Sequence, residues 1–312
     1  MIRRIIFFYC CIIIFQIAAY VNQAFSKENY KVNHKTMTLL KKADKERRRI
    51  LSIKDKSYSF YNKETLIYKV TYLNTIDAGK AVLSAKPGYY KNKKIMVFTA
   101  QAYNAKWFNF IYHVHDITES FFSPKRCYPY FLIMKRHEGS HNDFMEERLN
   151  GSYRHLIKTG QYKTAWKSLK KEKFLKMLSS DEKHNKPALY KDRINVPWKP
   201  FLSFNDTQDA LSALYFIRLI NLNKGEDYYI PVYENRKRYL VLIKAEGYYN
   251  IDTPAGKFNT IKVKAFLNFN GVFSHKGSLK IYFSTGPNHT PVYLVTNIRI
   301  GFMTAILTKK KI

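Results

Sequence analysis

His137-Glu138-Gly139-Ser140-His141 is the one run in this chain whose residue types and spacing spell out a hydrolytic metal centre. On a helix, two histidines four apart share a face and leave the glutamate to activate a zinc-bound water. Here Gly139 and Ser140 sit in the middle, and the flanks Tyr130 to Arg136 and Phe144 to Leu149 alternate like strands, so the run reads as a polar turn. No clear third ligand follows it; His137 and His141 stand only as an alternative metal pair. His113 and His115, with Asp116 and Glu119 close by, would share one face of a strand, which suits metal capture but also suits two partly exposed histidines on a sheet. Cys127 has no adjacent histidine and reads as a buried or half-buried thiol. There is no Gly-rich phosphate loop and no G-x-S-x-G elbow, and no cofactor is expected.

Two further sets of residues point to binding or to architecture. Trp107, Phe108, Phe110, Tyr112, Phe121 and Phe122 offer enough aromatic surface to line a cavity for an acyl chain or to stack on sugar rings, although core packing uses the same residues. Asp209 and Arg218 lie nine apart, near opposite faces of a helix, and cannot pair with each other. Arg218, among apolar neighbours, must find a carboxylate or carbonyls elsewhere, because an unpaired buried charge is strongly destabilising. Asp209 suits a first-turn cap, and both residues read as fixing a helix to a sheet.

That helix is expected from Asp206 to Gly225, with Asp206 or Thr207 as its cap. Ala210, Leu211, Ala213, Leu214, Ile217 and Leu219 make it apolar round most of its circumference, and Gly225 suits a left-handed cap. Everything around it has a period of two. Leu66 to Tyr72, Lys80 to Ala85, Ile95 to Tyr103, Phe108 to Phe121, Tyr128 to Arg136 and Asn142 to Leu149 read as strands, with turns at Asp77-Ala78-Gly79 and Pro87-Gly88. Residues 151–200 fit either a basic amphipathic helix or two edge strands, then a long loop. Strands return from Tyr228 to Leu307, with a turn at Thr253-Pro254-Ala255-Gly256 and a hairpin bracketed by Gly271 and Gly277. The fold class expected is mainly β (α+β): a large curved antiparallel sheet or half-barrel with one buried central helix, formed by residues 61–312 as a single domain. Residues 27–60 form a basic helical segment, with its helix from about Thr36 to Ile53.

The chain has 312 residues, 46% of them hydrophobic, which is ample for a core. Its formal charge of +31, from 54 basic and 23 acidic residues, fits either anionic partners or a compositional bias toward lysine. Arg3 and Arg4, the apolar run Ile5 to Ala19, and Ala24-Phe25-Ser26 describe a secretory signal peptide over residues 1–26, cut after Ser26, with an uncleaved N-terminal anchor as the alternative. Cys10 and Cys11 lie too early in it for lipidation. The exported chain then keeps only Cys127, so an internal disulfide is ruled out. Export also separates the basic surface from nucleic acid and leaves lipopolysaccharide, lipid head groups or acidic glycans as its natural counterparts.

Over about Leu66 to Leu307 the chain resembles DUF3108, a family of exported bacterial proteins of unknown function. The resemblance is carried by Tyr68-Lys-Val-Thr-Tyr72 with Asp77-Ala-Gly79-Lys-Ala, by Asp116-Ile-Thr-Glu-Ser120 leading to Pro129, by Asp209-Ala-Leu-Ser-Ala-Leu-Tyr-Phe-Ile-Arg218 with Gly225, and by Thr253-Pro-Ala-Gly256-Lys-Phe-Asn-Thr260. Where a typical member has a glutamate before the Thr-Pro-Ala-Gly turn, this chain has Tyr248, Asn250 and Asp252. The resemblance implies a periplasmic or other cell-envelope location and a mostly antiparallel fold similar to the half-barrel-plus-helix of lipoprotein carriers. It makes Asp209, Arg218, Gly225, Pro254 and Gly256 the structural motif, and it brings no activity.

The functional expectation is therefore a non-enzymatic envelope protein that binds an amphiphile or glycan in the concavity of its sheet. Lipid, lipopolysaccharide, glycan and anionic surfaces are the expected partners, and nucleic acid is not. A scaffold for another envelope protein is the alternative, and a metal-dependent hydrolase using His137, Glu138 and His141 is the third reading.

Overall fold

Alternating apolar and polar residues dominate the chain from Glu64 onward, and in the structure this pattern becomes one antiparallel sheet. The structure, a computed structural model, describes residues 34–52, 62–108, 113–138, 141–148, 153–157, 207–234, 237–269, 272–298 and 300–312. The expectations for residues 1–26 and for most of 151–200 lie outside them. Helix α1 (His34–Ser52) comes first and packs on the edge strand Asp227–Glu234. Strands β1 (Glu64–Tyr72), β2 (Ile76–Tyr90), β3 (Lys93–Asn104), β4 (His115–Ser123), β5 (Tyr128–Glu138), β6 (His141–Arg148) and β7 (Tyr153–Ile157) meander from the middle of the sheet to one edge.

The chain next forms α2 (Ala210–Ile217) and enters the sheet at its opposite edge. From there β8 (Asp227–Glu234), β9 (Lys237–Thr253), β10 (Gly256–Phe269), β11 (Val272–Ser284), β12 (Pro291–Asn297) and β13 (Phe302–Lys311) meander back until β13 pairs with β1. Among the described residues the sheet has thirteen strands, with β7 and β8 as its edges, and it does not close into a barrel. No helix of the described residues is long and apolar enough to cross a membrane.

Several boundaries differ from the expected ones for local reasons. Strand β2 runs straight through Pro87-Gly88, where a turn was expected, and reverses only at Lys91-Asn92. Pro87 is tolerated because β1 pairs with β2 no further than Ala85, leaving the missing N–H on an open side. Gly277 is inside β11 rather than at a turn, beside a register shift opposite Ala265 and Leu267. The one glycine whose freedom the fold requires in this region is Gly79, at φ +147, where a Cβ would stand 2.0 Å from the carbonyl oxygen of Tyr103.

The inner face holds the main core. Leu66, Tyr68 and Val70 of β1 meet Leu83 and Ala85 of β2, Phe98 of β3, Ile230 of β8, Ile243 of β9, Val263 of β10 and Leu307 of β13. Leu211, Leu214, Tyr215 and Ile217 of α2 are buried in the same cluster. Tyr215 lies flat on Phe98, with ring centroids 3.8 Å apart and planes 5° from parallel. Helix α2 and the side chains it packs against are therefore part of the core on the inner face. A smaller cluster of Ile95, Phe121, Phe131 and Ile133 forms on the opposite face of β3, β4 and β5.

Candidate functional site

The His137-Glu138-Gly139-Ser140-His141 run is a hairpin and not a helix, because β5 ends at Glu138 and β6 begins at His141. The ladder pairs His141 with Glu138 and His137 with Asn142. Directly paired residues share a face, so positions 137 and 141 belong to opposite faces of the sheet, and the helical zinc geometry is overturned. His137 instead neighbours His113, with ring centroids 5.3 Å apart, and its backbone N–H donates to Asp116 Oδ1 at 2.9 Å. His115 stacks on Tyr103 at 4.5 Å, and burial, with His113 nearby, holds its imidazole below the ordinary range. No group of three or more His, Cys, Asp or Glu side chains among the described residues is placed to hold a metal ion.

Of the aromatic candidates, Trp107 and Phe121 lie among the described side chains, and they lie apart. Trp107 lies on the surface in a short 3-10 turn, Lys106–Phe108, and its indole N–H donates to the carbonyl of Asp77 at 3.0 Å. Phe121 is buried in the smaller cluster, stacked on Phe131 at 4.2 Å. Its neighbour Phe122 points the other way, into the main core. Phe110 and Tyr112 lie outside the described residues, as does the side chain of Phe108.

Sequence reasoning placed Asp209 and Arg218 on one helix; the structure shows what each one holds. The helix is shorter than expected, and its cap is Asp209 itself rather than Asp206 or Thr207. Asp209 Oδ1 accepts the Ser212 N–H at 2.6 Å, while Ser212 Oγ accepts the Asp209 N–H at 3.0 Å, a reciprocal capping box. The second carboxylate oxygen accepts the hydroxyl of Ser120, on β4, at 2.5 Å. Burial pushes the Asp209 carboxyl up to about 6 against the opposing pull of these donors. Next to it, the backbone of Gln208 bridges to edge strand β8 through Pro231 and Tyr233, and its side-chain amide donates to the Cys127 carbonyl at 2.7 Å. Cys127 is a buried thiol with its backbone at φ +55.

At the other end of α2, Arg218 is wholly buried and makes a two-pronged pair with Glu64 at the start of β1, at 2.7 and 3.0 Å. Its Nε donates to the Asn288 carbonyl at 3.0 Å, and the guanidinium lies 5.3 Å from the Tyr215 ring. The imidazole of His289 sits 3.0 Å from the Arg218 carbonyl. Thus α2 is a crossbar: its N-terminus is tied to β4, the β4–β5 turn and β8, and its C-terminus to β1 and the β11–β12 turn. Ser120, Cys127, Glu64 and Asn288 all lie at the same end of the strands, so α2 plugs that end.

Gly225 does not cap α2, which ends at Ile217 with Arg218 as C-cap. It takes φ +86 in the later turn into β8, and its N–H donates to the Ala245 carbonyl at 2.8 Å. Pro254 and Gly256 belong to the tight β9–β10 hairpin, where Thr253 pairs with Gly256 and its hydroxyl donates to the Gly256 carbonyl at 2.9 Å.

The outer face carries an arrangement that no local motif announced. Successive ladder pairs put Lys262 beside Tyr282, Tyr282 beside Tyr293, Tyr293 beside Ile306, Ile306 beside Lys69, Lys69 beside Lys80, and Lys80 beside Tyr103. These residues form one transverse row across seven strands. Tyr249, Tyr282 and Tyr293 are in ring contact along it, at 5.6 and 5.5 Å. Lys262 and Lys264 both pair with Glu246, whereas Lys69 and Lys80 stand directly opposite each other with like charge. Alternation alone would have shown that Lys69 opposes Tyr68 and Val70; its alignment with Lys80 and Tyr103 needed the register.

A family model described as a protein of unknown function (DUF3108) matches residues 67–308. No curated protein matches the chain. Among solved structures, the chain is similar to a β-barrel-like protein of the domain of unknown function DUF1849 from Brucella abortus, at 8% identity and a TM-score of 0.41, covering 80% of this chain and 97% of that one. A lipoprotein candidate from Parabacteroides distasonis aligns at 9% identity and a TM-score of 0.32, over 81% of this chain and 97% of that one. A candidate exported protein with a YmcC-like fold from Bacteroides fragilis aligns at 15% identity and a TM-score of 0.27, over 80% and 95%.

Proposed function

From the premise that this chain belongs to the DUF3108 family of proteins of unknown function, we propose that it is an exported, non-catalytic envelope protein that binds an anionic glycan or amphiphile head group on the outer face of its sheet. Helix α2 is buried on the inner face, and the row of charged and aromatic side chains lies on the other face. The observation that carries it is the transverse row of tyrosines and lysines, and above all Lys69 opposite Lys80. Like charges placed directly across a ladder weaken a sheet, and an anionic group between them removes that penalty. Tyrosine rings beside the lysines supply apolar surface and hydroxyls suited to sugar rings. The signal-like leader and the net charge of +31 support the same reading.

The reading separates binding from folding. Lys69→Glu removes the like-charge pair and is expected to stabilise the fold by ~0.5 kcal/mol. The same substitution is expected to weaken binding to dextran sulfate, an anionic polysaccharide probe, by about tenfold at 0.15 M salt. Thermal melts and titrations on one preparation read both effects. Unchanged affinity in Lys69→Glu, or native mass spectra of envelope-purified protein that repeatedly lack glycan and amphiphile, would sink the proposal in favour of a protein scaffold.

A further inference from the structure

The two ends of the sheet differ. One is plugged by α2, whose partners Glu64, Ser120 and Asn288 all lie there. The opposite end gathers the β1–β2 turn, the 3-10 turn after β3 and the β12–β13 turn, since β2, β1, β13 and β12 are neighbours in the sheet with β3 beside β2. Among the described residues, eight large hydrophobic side chains are exposed, and four of them are in these turns or at the strand end beside them: Leu73, Ile76, Trp107 and Ile300, at 40, 47, 55 and 51%. Isolated exposed apolar residues are ordinary on any surface, but a set converging on one end is not.

Contacts and hydrogen bonds join the four into one edge. Leu73 N–H donates to the Phe302 carbonyl at 3.0 Å, and a Cβ on Gly301 would stand 2.7 Å from Leu73 Cδ2, so the two turns are in close contact. Tyr72 donates its hydroxyl to the Ile300 carbonyl at 3.1 Å and is the ladder partner of Ile76. Trp107 reaches across to the Asp77 carbonyl next to Ile76. Lys106 is exposed beside Trp107, and Lys69 and Lys80 follow further along the outer face. Asp77 is the acid within this edge, and its carboxylate accepts the Gly79 N–H at 3.1 Å.

We infer that this end docks on an anionic lipid bilayer, with Leu73, Ile76, Trp107 and Ile300 entering the interfacial layer and the lysines facing lipid phosphates. Charge selects the partner: the chain carries +31, and a short apolar edge backed by lysines fits the boundary between anionic head groups and acyl chains. An indole with its N–H engaged and its ring exposed belongs at that depth. The inference rests on the envelope location proposed above; it shares Lys69 and Lys80 with the glycan row, but its apolar contacts, Leu73, Ile76, Trp107 and Ile300, are its own.

The test reads Trp107 itself. The chain has three tryptophans, so the full-length Trp166→Phe/Trp198→Phe protein leaves Trp107 as its only indole reporter. Mixed with phosphatidylglycerol–phosphatidylcholine vesicles, its emission is expected to shift to the blue and to fall at least about twofold when the acyl chains are brominated. Ile76→Ser/Ile300→Ser in that background, with an unchanged melting temperature, is expected to abolish most of the quenching. Equal Trp107 emission with brominated and unbrominated vesicles overturns the inference, as does quenching that survives Ile76→Ser/Ile300→Ser. Because Lys69→Glu is scored on dextran sulfate, failure of the glycan reading and failure of bilayer docking are distinguishable.

Discussion

Replacing Arg218 with methionine is expected to lower the stability of the fold by about 4 kcal/mol, because it strands the carboxylate of Glu64 in the core. Glu64 and Arg218 are both fully buried, and the pair is held through both guanidinium prongs with a third bond to the Asn288 carbonyl. Lys310 is a second cation near Glu64, but it is half-buried and its ammonium is engaged by Thr290 at 3.1 Å. It offsets the loss only partly. Urea unfolding monitored by circular dichroism should show a lower midpoint at an unchanged slope. Removing both charges tells more. Glu64→Leu/Arg218→Met is expected to recover to within about 1 kcal/mol of the native protein, since a buried pair and a well-packed apolar pair are often equivalent. A single Arg218→Met that unfolds at the native midpoint would mean that the crossbar is not held by this pair.

Asp209 should make stability depend on pH in the direction opposite to an ordinary salt-bridged carboxylate. Its carboxyl sits at about 6 in the fold against 3.8 as the reference value, so the folded state takes up the proton first as pH falls. The contribution from this group is therefore complete below about pH 4 and is lost as pH rises through about 6. Two pH units of difference correspond to ~3 kcal/mol. Asp209→Asn keeps a side-chain oxygen for the Ser212 N–H and removes the titration. Native protein minus Asp209→Asn should thus gain stability between pH 7 and pH 4, whatever the remaining carboxylates do. Asp209→Ala removes the cap altogether and the partner of the Ser120 hydroxyl, and is expected to cost about 2 kcal/mol at pH 7. A flat difference curve for Asp209→Asn would contradict the assigned protonation.

Much of this architecture was legible because it is local. Alternation from Leu66 to Tyr72 and the Asp77-Ala78-Gly79 turn indicate a hairpin, and Thr253-Pro254-Ala255-Gly256 indicates another; both are present. The apolar segment around Leu211 to Ile217 reads as a buried helix and is one. Boundaries were less legible. Proline and glycine at 87 and 88 signal a turn in isolation, yet the strand continues because its neighbour has already ended. The histidine pair at 137 and 141 shows the same limit: a four-residue spacing means one face on a helix and opposite faces in this hairpin.

What the chain determined by itself was the period of its strands, the apolar helix among them, and the need of Arg218 for a buried anion. Only the tertiary structure decided that the anion is Glu64, 154 residues away, and that the helix is tied to β4 and β8 at its other end. The reason is physical. Alternation assigns side chains to two faces but does not say which face curls inward, and hydrogen-bond register across a sheet joins residues whose separation leaves no trace in local pattern. The lysine pair at 69 and 80 and the apolar edge at 73, 76, 107 and 300 exist only because the sheet order brings β1, β2, β3, β12 and β13 side by side.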